Sequence, residues 1–394
     1  MKAKMTDCLE RGSSRKVSDK TERFIMKTLV VFGTRPEAIK MCPLVLKLRE
    51  EKSIECKVCL TGQHKEMLAQ VMSSFGVKED YNLEIMRDRQ SLTTITTSVL
   101  EGIEPILKEE SPDIVLVHGD TTTSYAAALA AFYRQIPVGH VEAGLRTGNI
   151  YSPYPEEMNR RLTDQLSSYN FAPTETSRSN LLEEGIRKNV YVTGNTVIDA
   201  FQYTVKDHHA FSCRELASLD FGAHRVVTIT AHRRENLGEP MVSICHAIRR
   251  LSEEYTDCVF VYPVHLNPAV RDVVFAELSG IDNVMLIDPI DVLDMHNLLA
   301  RSYLVMTDSG GLQEEAPHFG KPVLVLRSET ERPEAVEAGT VKVVGVEEEN
   351  IVREARKLME DVDAYVAMAK AINPYGDGRA SERIVEVIKN LRSV

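Results

Sequence analysis

The chain has 394 residues, 43% of them apolar and 27% charged, with a formal net charge of −11. That length exceeds what one hydrophobic core ordinarily supports, so two α/β domains are expected. The acid excess excludes a broadly basic nucleic-acid or anionic-membrane surface and leaves only local cationic pockets.

Residues 1–26 are polar and mixed in charge, lack the apolar run of a secretory signal, and read as a flexible extension. No segment approaches the roughly 20 apolar residues of a membrane helix, so no membrane span is expected. From Lys27 onward strands and helices alternate. KTLVVFG leads into a helix from Glu37, IECKVCLTG into one near Glu66, and IVLVHGD into TTTSYAAALAAFYR. PVGHVEAG, a helix around 157–168, YNFAPT and NVYVTGN complete a first set in the βαβ order of a parallel sheet. Strand pattern is lost near 208–222, and RVVTITAH, CVFVYPVH, NVMLIDP, YLVMTDS and PVLVLR then form a second set. The expected architecture is two doubly wound Rossmann-like domains, residues 27–208 and 209–370, facing a central cleft. A final helix within 371–394 is expected to pack back on the first domain.

Seven cysteines, an odd number without framework spacing, fit a reduced cytoplasmic protein. Cys56 and Cys59 make a lone CxxC, but on a strand their side chains point to opposite faces and no second pair supplies ligands. No metal site is assigned.

In an open parallel sheet, ligands sit outside the carboxyl ends of the strands. VHGDTTT, HVEAGLRT and YPEEMNR place Asp120 and Glu142 at two such ends and Glu156 at a helix start. Three converging carboxylates suit acid and base catalysis, with like-charge repulsion expected to raise at least one pKa. The competing reading is a polar network pairing Glu142 and Glu156 with Arg146 and Arg160.

GTRPEAIK puts Arg35, Lys40 and the amides of a helix start where an anion would bind, although neither a P-loop nor GxGxxG is present. The plainer alternative there is a capping turn with solvated charges. In the second set, TAHRREN supplies His232, Arg233 and Arg234, and PVHLNP supplies His265. TDSGGLQEEAP offers Ser309, Gly310 and Gly311 as a backbone cradle for a diphosphate, with Glu315 a turn further on to accept ribose hydroxyls.

In order along the chain, GTRPEAIKMCPLV, TGQHKEML, VHGDTTT, HVEAGLRT, YPEEMNR, TAHRREN, PVHLNP, TDSGGLQEEAP and RSETERPEA resemble the non-hydrolysing UDP-N-acetylglucosamine 2-epimerase family, from Lys27 essentially to the C-terminus. The resemblance implies a glycosyltransferase-B-like fold, a homodimer, no metal or other cofactor, and reversible conversion of UDP-GlcNAc to UDP-ManNAc for cell-surface polysaccharide precursors. It implies loss of UDP across C1 and C2 to give 2-acetamidoglucal, then return of UDP with protonation of C2 from the opposite face. On this resemblance Asp120, Glu142, Glu156 and His232 are catalytic. Arg35, Lys40, His232 and the Ser309-Gly310-Gly311 amides stabilise the diphosphate. His265 contacts substrate, Glu315 the ribose and Arg332 the phosphate or sugar, while Met295 sits in the uracil-facing loop, where the backbone rather than the side chain makes the contact. Gln63, His64, Arg234 and His265 match positions associated with a second, activating UDP-GlcNAc. Two alternatives stand beside this reading. A UDP-sugar glycosyltransferase would consume an acceptor, and a noncatalytic nucleotide-sugar sensor would not need three carboxylates.

Overall fold

The computed structural model describes residues 25–391 except 63, 64, 86, 88 and 89. The first half runs β1 (Met26–Phe32), α1 (Arg35–Glu50), β2 (Ile54–Leu60), α2 (Lys65–Phe75), β3 (Tyr81–Asn82), α3 (Leu92–Glu110), β4 (Ile114–His118), α4 (Thr122–Tyr133), β5 (Val138–Val141), α5 (Glu156–Leu166), β6 (Tyr169–Ala172), α6 (Glu175–Glu183), β7 (Val190–Val192) and α7 (Thr196–Thr204). After α8 (Arg214–Ala217) the second half runs β8 (Arg225–Thr230), α9 (Glu239–Glu254), β9 (Cys258–Pro263), α10 (Pro268–Leu278), β10 (Val284–Ile287), α11 (Val292–Arg301), β11 (Leu304–Thr307), α12 (Gly310–Glu315), β12 (Val323–Val325), α13 (Pro333–Glu337), β13 (Val341–Val343), α14 (Glu348–Glu360), α15 (Val362–Ala369) and α16 (Ala380–Asn390).

The fold is two Rossmann-like domains, each built on one parallel sheet. The sheet orders are β3-β2-β1-β4-β5-β6-β7 and β10-β9-β8-β11-β12-β13. In both, the order reverses beside the first strand, between β1 and β4 and between β8 and β11. A crevice opens outside the carboxyl ends of the strands at each such reversal.

Helices cover both faces, so central strands read as continuous apolar runs. All five residues of β4 (IVLVH) are buried. Along β1, Val30 and Phe32 enter one core while Leu29 and Val31 enter the core on the opposite face. Cys56 packs against the first of these cores and Cys59 lies in the second, so the CxxC pair does straddle the sheet.

The long helix α3 departs from its local signals, being rich in β-branched residues and containing Pro105. Ile95, Val99, Ile103 and Ile106, spaced three or four apart, are buried with the alanines of α4, and that tertiary contact overrides the weak propensity. The region near 208–222 includes the short helix α8. Helix α16 docks on the first half. The Ala380 and Ser381 amides donate to the Asp199 carboxylate of α7 at 3.1 and 2.6 Å, and Lys389 pairs with Glu51 at 3.0 Å. Among the described residues no helix is long and apolar enough to cross a membrane.

Candidate active site

The β1–β4 crevice is built by the loops after β1, β4 and β5. A Cβ on Gly33, at the end of β1, would lie 1.8 Å from Thr61 Oγ1, so only glycine lets the strand ends pack this closely. Thr34 caps α1 in a capping box with Glu37, which fixes the helix start that carries Arg35. Asp120 follows β4. Its carbonyl accepts from Asn159 Nδ2 at 3.0 Å, and its carboxylate pairs with Arg160. Glu142 follows β5 at φ 66°, a left-handed conformation that a non-glycine residue adopts only when its surroundings impose it. Glu142 Oε1 lies 3.7 Å from where a Cβ on Gly119 would stand, and Asn159 belongs to the first turn of α5, which Glu156 opens. The structure therefore brings the loops bearing Asp120, Glu142 and Glu156 to one end of the sheet. Glu156 Oε2 is buried without a hydrogen-bond partner among the described residues.

The electrostatics differ from the expectation in two ways. Like-charge repulsion does not raise Glu142. Burial opposes its ionisation, but Lys40 and His118 outweigh burial and hold the carboxyl well below the usual carboxylate range. Lys40 is salt-bridged to Glu142, His118 Nε2 stands 3.6 Å from it, and Asn195 Nδ2 donates to it at 2.8 Å. Nor do Arg146 and Arg160 neutralise Glu142 and Glu156. Arg146 instead pairs with Asp164 and Glu184, and Arg160 with Asp120 and Glu157.

Across the cleft, Asp308 at the end of β11 accepts the amides of His232 and Arg233 at 2.7 and 2.8 Å and the Asn236 side chain at 3.0 Å, which fixes the loop after β8. The rings of His232 and His265 stack 5.0 Å apart. Partial desolvation, together with His265 and Arg233, outweighs Asp308 and lowers the pKa of His232, whose side chain remains 39% exposed. Ser309 caps α12 without using its side chain. A Cβ on Gly310 would be 3.7 Å from Arg332 Nη2 and 3.9 Å from Arg233 Nη2, so two guanidinium groups face the glycine turn. Positive charge at the glycine turn thus comes from Arg332 and Arg233 in this half.

A cavity of about 420 Å³ lies between the halves, lined among others by Arg35, His232, His265, Met295, Ser309 and Glu315. Burial, with Glu314 alongside, pushes the Glu315 carboxyl up to about 7, and burial with Arg35 nearby lowers His296 to about 3. Their 3.7 Å approach is accordingly not a full ion pair at neutral pH. Lys40 and Arg332 do not line this cavity. They belong to a buried chain of charges in which Lys40 pairs with Glu142 and Arg332 with Glu314, while the two hydrogens of Asn195 Nδ2 go to Glu142 and Glu314, each at 2.8 Å. One amide therefore joins a carboxylate of the first half to a carboxylate of the second. Arg234 sits exposed in a short 3-10 turn, also outside this cavity. Gln63 and His64 lie outside the described residues.

A family model described as UDP-N-acetylglucosamine 2-epimerase matches residues 46–389. The chain belongs to the UDP-N-acetylglucosamine 2-epimerase family. The UDP-N-acetylglucosamine 2-epimerase of Escherichia coli (strain K12) is 53% identical over 376 residues, which cover 93% of this chain and 99% of that protein. That of Bacillus subtilis (strain 168) is 53% identical over 362 residues, covering 92% and 94%. The crystal structure of the Neisseria meningitidis UDP-GlcNAc 2-epimerase bound to UDP-GlcNAc superimposes with a TM-score of 0.82 at 51% identity, covering 93% of this chain and 100% of that one. At 11% identity and a TM-score of 0.65, a glycotransferase of kitacinnamycin shares the glycosyltransferase-B-like fold alone.

Several residues of this family member's cleft escape a motif-by-motif reading. Asp308 and Glu314 sit inside TDSGGLQEEAP and His118 inside VHGD, each one or two places from Ser309, Glu315 or Asp120. Asn195 had only the TGN turn as its signal. Its role depends on two carboxylates 53 and 119 positions away.

Proposed function

We propose that this protein interconverts UDP-GlcNAc and UDP-ManNAc without hydrolysing either, in the service of cell-surface polysaccharide precursors. The observation that carries the reading is the pairing across one cleft of a glycine turn faced by Arg332 and Arg233 with loops bearing Asp120, Glu142 and Glu156. The ligand-bound Neisseria relative supports it.

The C2 hydrogen of the sugar is not adjacent to a carbonyl, so direct proton removal would leave an unsupported carbanion. Elimination avoids this. The C1–O bond to UDP breaks with its electron pair leaving on the diphosphate, a base takes the C2 proton, and 2-acetamidoglucal forms. Readdition of UDP at C1 with proton delivery to the other face of C2 gives the epimer. Two groups on opposite faces are needed, and the candidates are Asp120, Glu142 and Glu156. Glu156, with an unpartnered buried oxygen, is available to accept a proton, whereas Glu142 is held ionised by Lys40. Arg332 and Arg233 would stabilise the departing diphosphate, and His232 would donate or accept a hydrogen bond beside it. The same reading takes the enzyme as a cytoplasmic homodimer with a second, activating UDP-GlcNAc near Arg234 and His265. Turnover of UDP-ManNAc alone, without added UDP-GlcNAc, would count against the activator.

Proton NMR of the purified protein with UDP-GlcNAc in D2O tests the reaction. UDP-ManNAc carrying deuterium at C2 is expected. Free ManNAc would indicate hydrolysis, and unchanged sugar would refute the reading.

A further inference from the structure

Glu37 is buried, with 2% of its surface exposed, yet it does not line the cavity, and its hydrogen bonds go to none of the candidate catalytic carboxylates. Its ordinary role is the capping box of α1. Oε2 accepts the amides of Gly33 and Thr34 at 2.9 and 2.7 Å, and its own amide donates to Thr34 Oγ1 at 3.4 Å. A capping box at a helix start needs one carboxylate oxygen, and here the second is used elsewhere. Oε1 turns toward the start of α4 and accepts from Thr121 Oγ1 at 2.7 Å and Ser124 Oγ at 2.9 Å. Thr121 Oγ1 in turn caps α4 by accepting the Ser124 amide at 3.1 Å, and Ser124 Oγ also lies 2.7 Å from the His118 carbonyl.

One carboxylate therefore ties together the caps of two helices. The first cap is followed directly by Arg35, which lines the cavity, and the second is preceded directly by Asp120. The two loops flank the β1–β4 reversal, and Glu37 reaches 84 positions along the chain to join them.

We propose that Glu37 is a positioning residue that fixes the Arg35 loop relative to the Asp120 loop, and so sets turnover without contacting the sugar nucleotide. The proposal rests on the epimerase reading above. Displacement of a catalytic loop by about an ångström costs on the order of 100-fold in rate, because the reacting groups lose their alignment. The side-chain chemistry predicts which substitutions survive. In Glu37→Gln the amide oxygen still accepts from Gly33 and Thr34, and the Nε2 group donates to the Thr121 and Ser124 hydroxyls, which accept as readily as they donate. In Glu37→Ala both connections are lost.

The test measures kcat and KM for UDP-GlcNAc in wild type, Glu37→Gln, Glu37→Ala and Thr121→Val, with thermal unfolding of each. Expected results are a kcat lowered roughly 10- to 100-fold in Glu37→Ala and Thr121→Val, with KM moved far less, and a kcat in Glu37→Gln close to wild type. A folded Glu37→Ala protein with wild-type kcat overturns the proposal, as does a Glu37→Gln protein as slow as Glu37→Ala. Where Glu37→Ala fails to fold, Thr121→Val decides, since it removes the Thr121 link to Glu37, together with the Oγ1 cap of α4, and leaves the α1 capping box whole. Wild-type kcat in Thr121→Val then overturns the assignment. Wild-type protein that binds UDP yet leaves UDP-GlcNAc unchanged overturns the epimerase reading and this proposal together, whereas active wild type with indifferent variants overturns this proposal alone.

Discussion

Replacing Lys40 with methionine keeps most of the side-chain volume and removes the charge that holds Glu142. The side chains of the pair are only 15% and 8% exposed, so solvent screens them weakly. Breaking a buried pair by deleting one partner costs about 3–5 kcal/mol, because the remaining charge is left uncompensated. Glu142 keeps the Asn195 donor and can take up a proton, which places the expected loss near the lower end, about 3 kcal/mol at pH 7.5.

The pH dependence separates this cause from lost packing. In wild type the Glu142 carboxyl titrates well below its unfolded value of about 4.3, so its stabilisation is complete above that pH and disappears as pH falls through the lower folded value. In Lys40→Met burial, the largest single influence on Glu142, is opposed only by His118 and Asn195, and the pKa is expected to rise above the unfolded value. The variant then loses stability as pH rises from about 4 toward neutrality, at up to about 1.4 kcal/mol per unit until the raised pKa is passed. Urea unfolding of both proteins at pH 4.5 and 7.5 measures the difference. A deficit equal at the two pH values, or no deficit at all, would refute the argument that Lys40 acts on stability through the charge of Glu142.

Glu156→Gln is expected to lower turnover roughly 100- to 10,000-fold while leaving UDP affinity by calorimetry nearly unchanged. Loss of UDP binding would count against a role confined to proton transfer. Asn195→Ala strips a donor from Glu142 and Glu314 and should cost about 1–3 kcal/mol in denaturant unfolding. Asn195→Asp should cost more, since it places a third carboxylate between those two, and an Asp variant as stable as wild type would show that this amide does not hold them. Glu315 titrates near 7, so if its carboxylate accepts ribose hydroxyls, UDP affinity in wild type should weaken as pH falls from 8 to 6. The Glu315→Gln variant should lack that component, and parallel pH curves for the two proteins would remove Glu315 from the ribose contact.

The alternating strands and helices, the two-domain α/β architecture and the family were all legible in the sequence, because each is written in short-range patterns. Gly33 ends a strand where a Cβ cannot fit, Thr34 with Glu37 forms a capping box, and Gly310 opens a turn into a helix, all within a few residues. Strand ends could therefore be located, and with them Arg35, Asp120, Glu142, His232 and Ser309. Helix α3 was not legible, since its propensities argue against it and burial of one isoleucine and valine face decides it.

Only the tertiary structure decided which strand ends are neighbours and which charges meet. Strand order sets β1 beside β4 and β8 beside β11, which gathers Arg35 with Asp120 and His232 with Ser309. Coulombic energy depends on distance and local dielectric, not on separation along the chain, so nothing in HVEAGLRT announces that Lys40, 102 positions earlier, keeps Glu142 ionised. For the same reason Glu314 and Glu315, adjacent in sequence, part ways. One is salt-bridged to Arg332, and the other, buried without a full counter-charge, is raised to about 7.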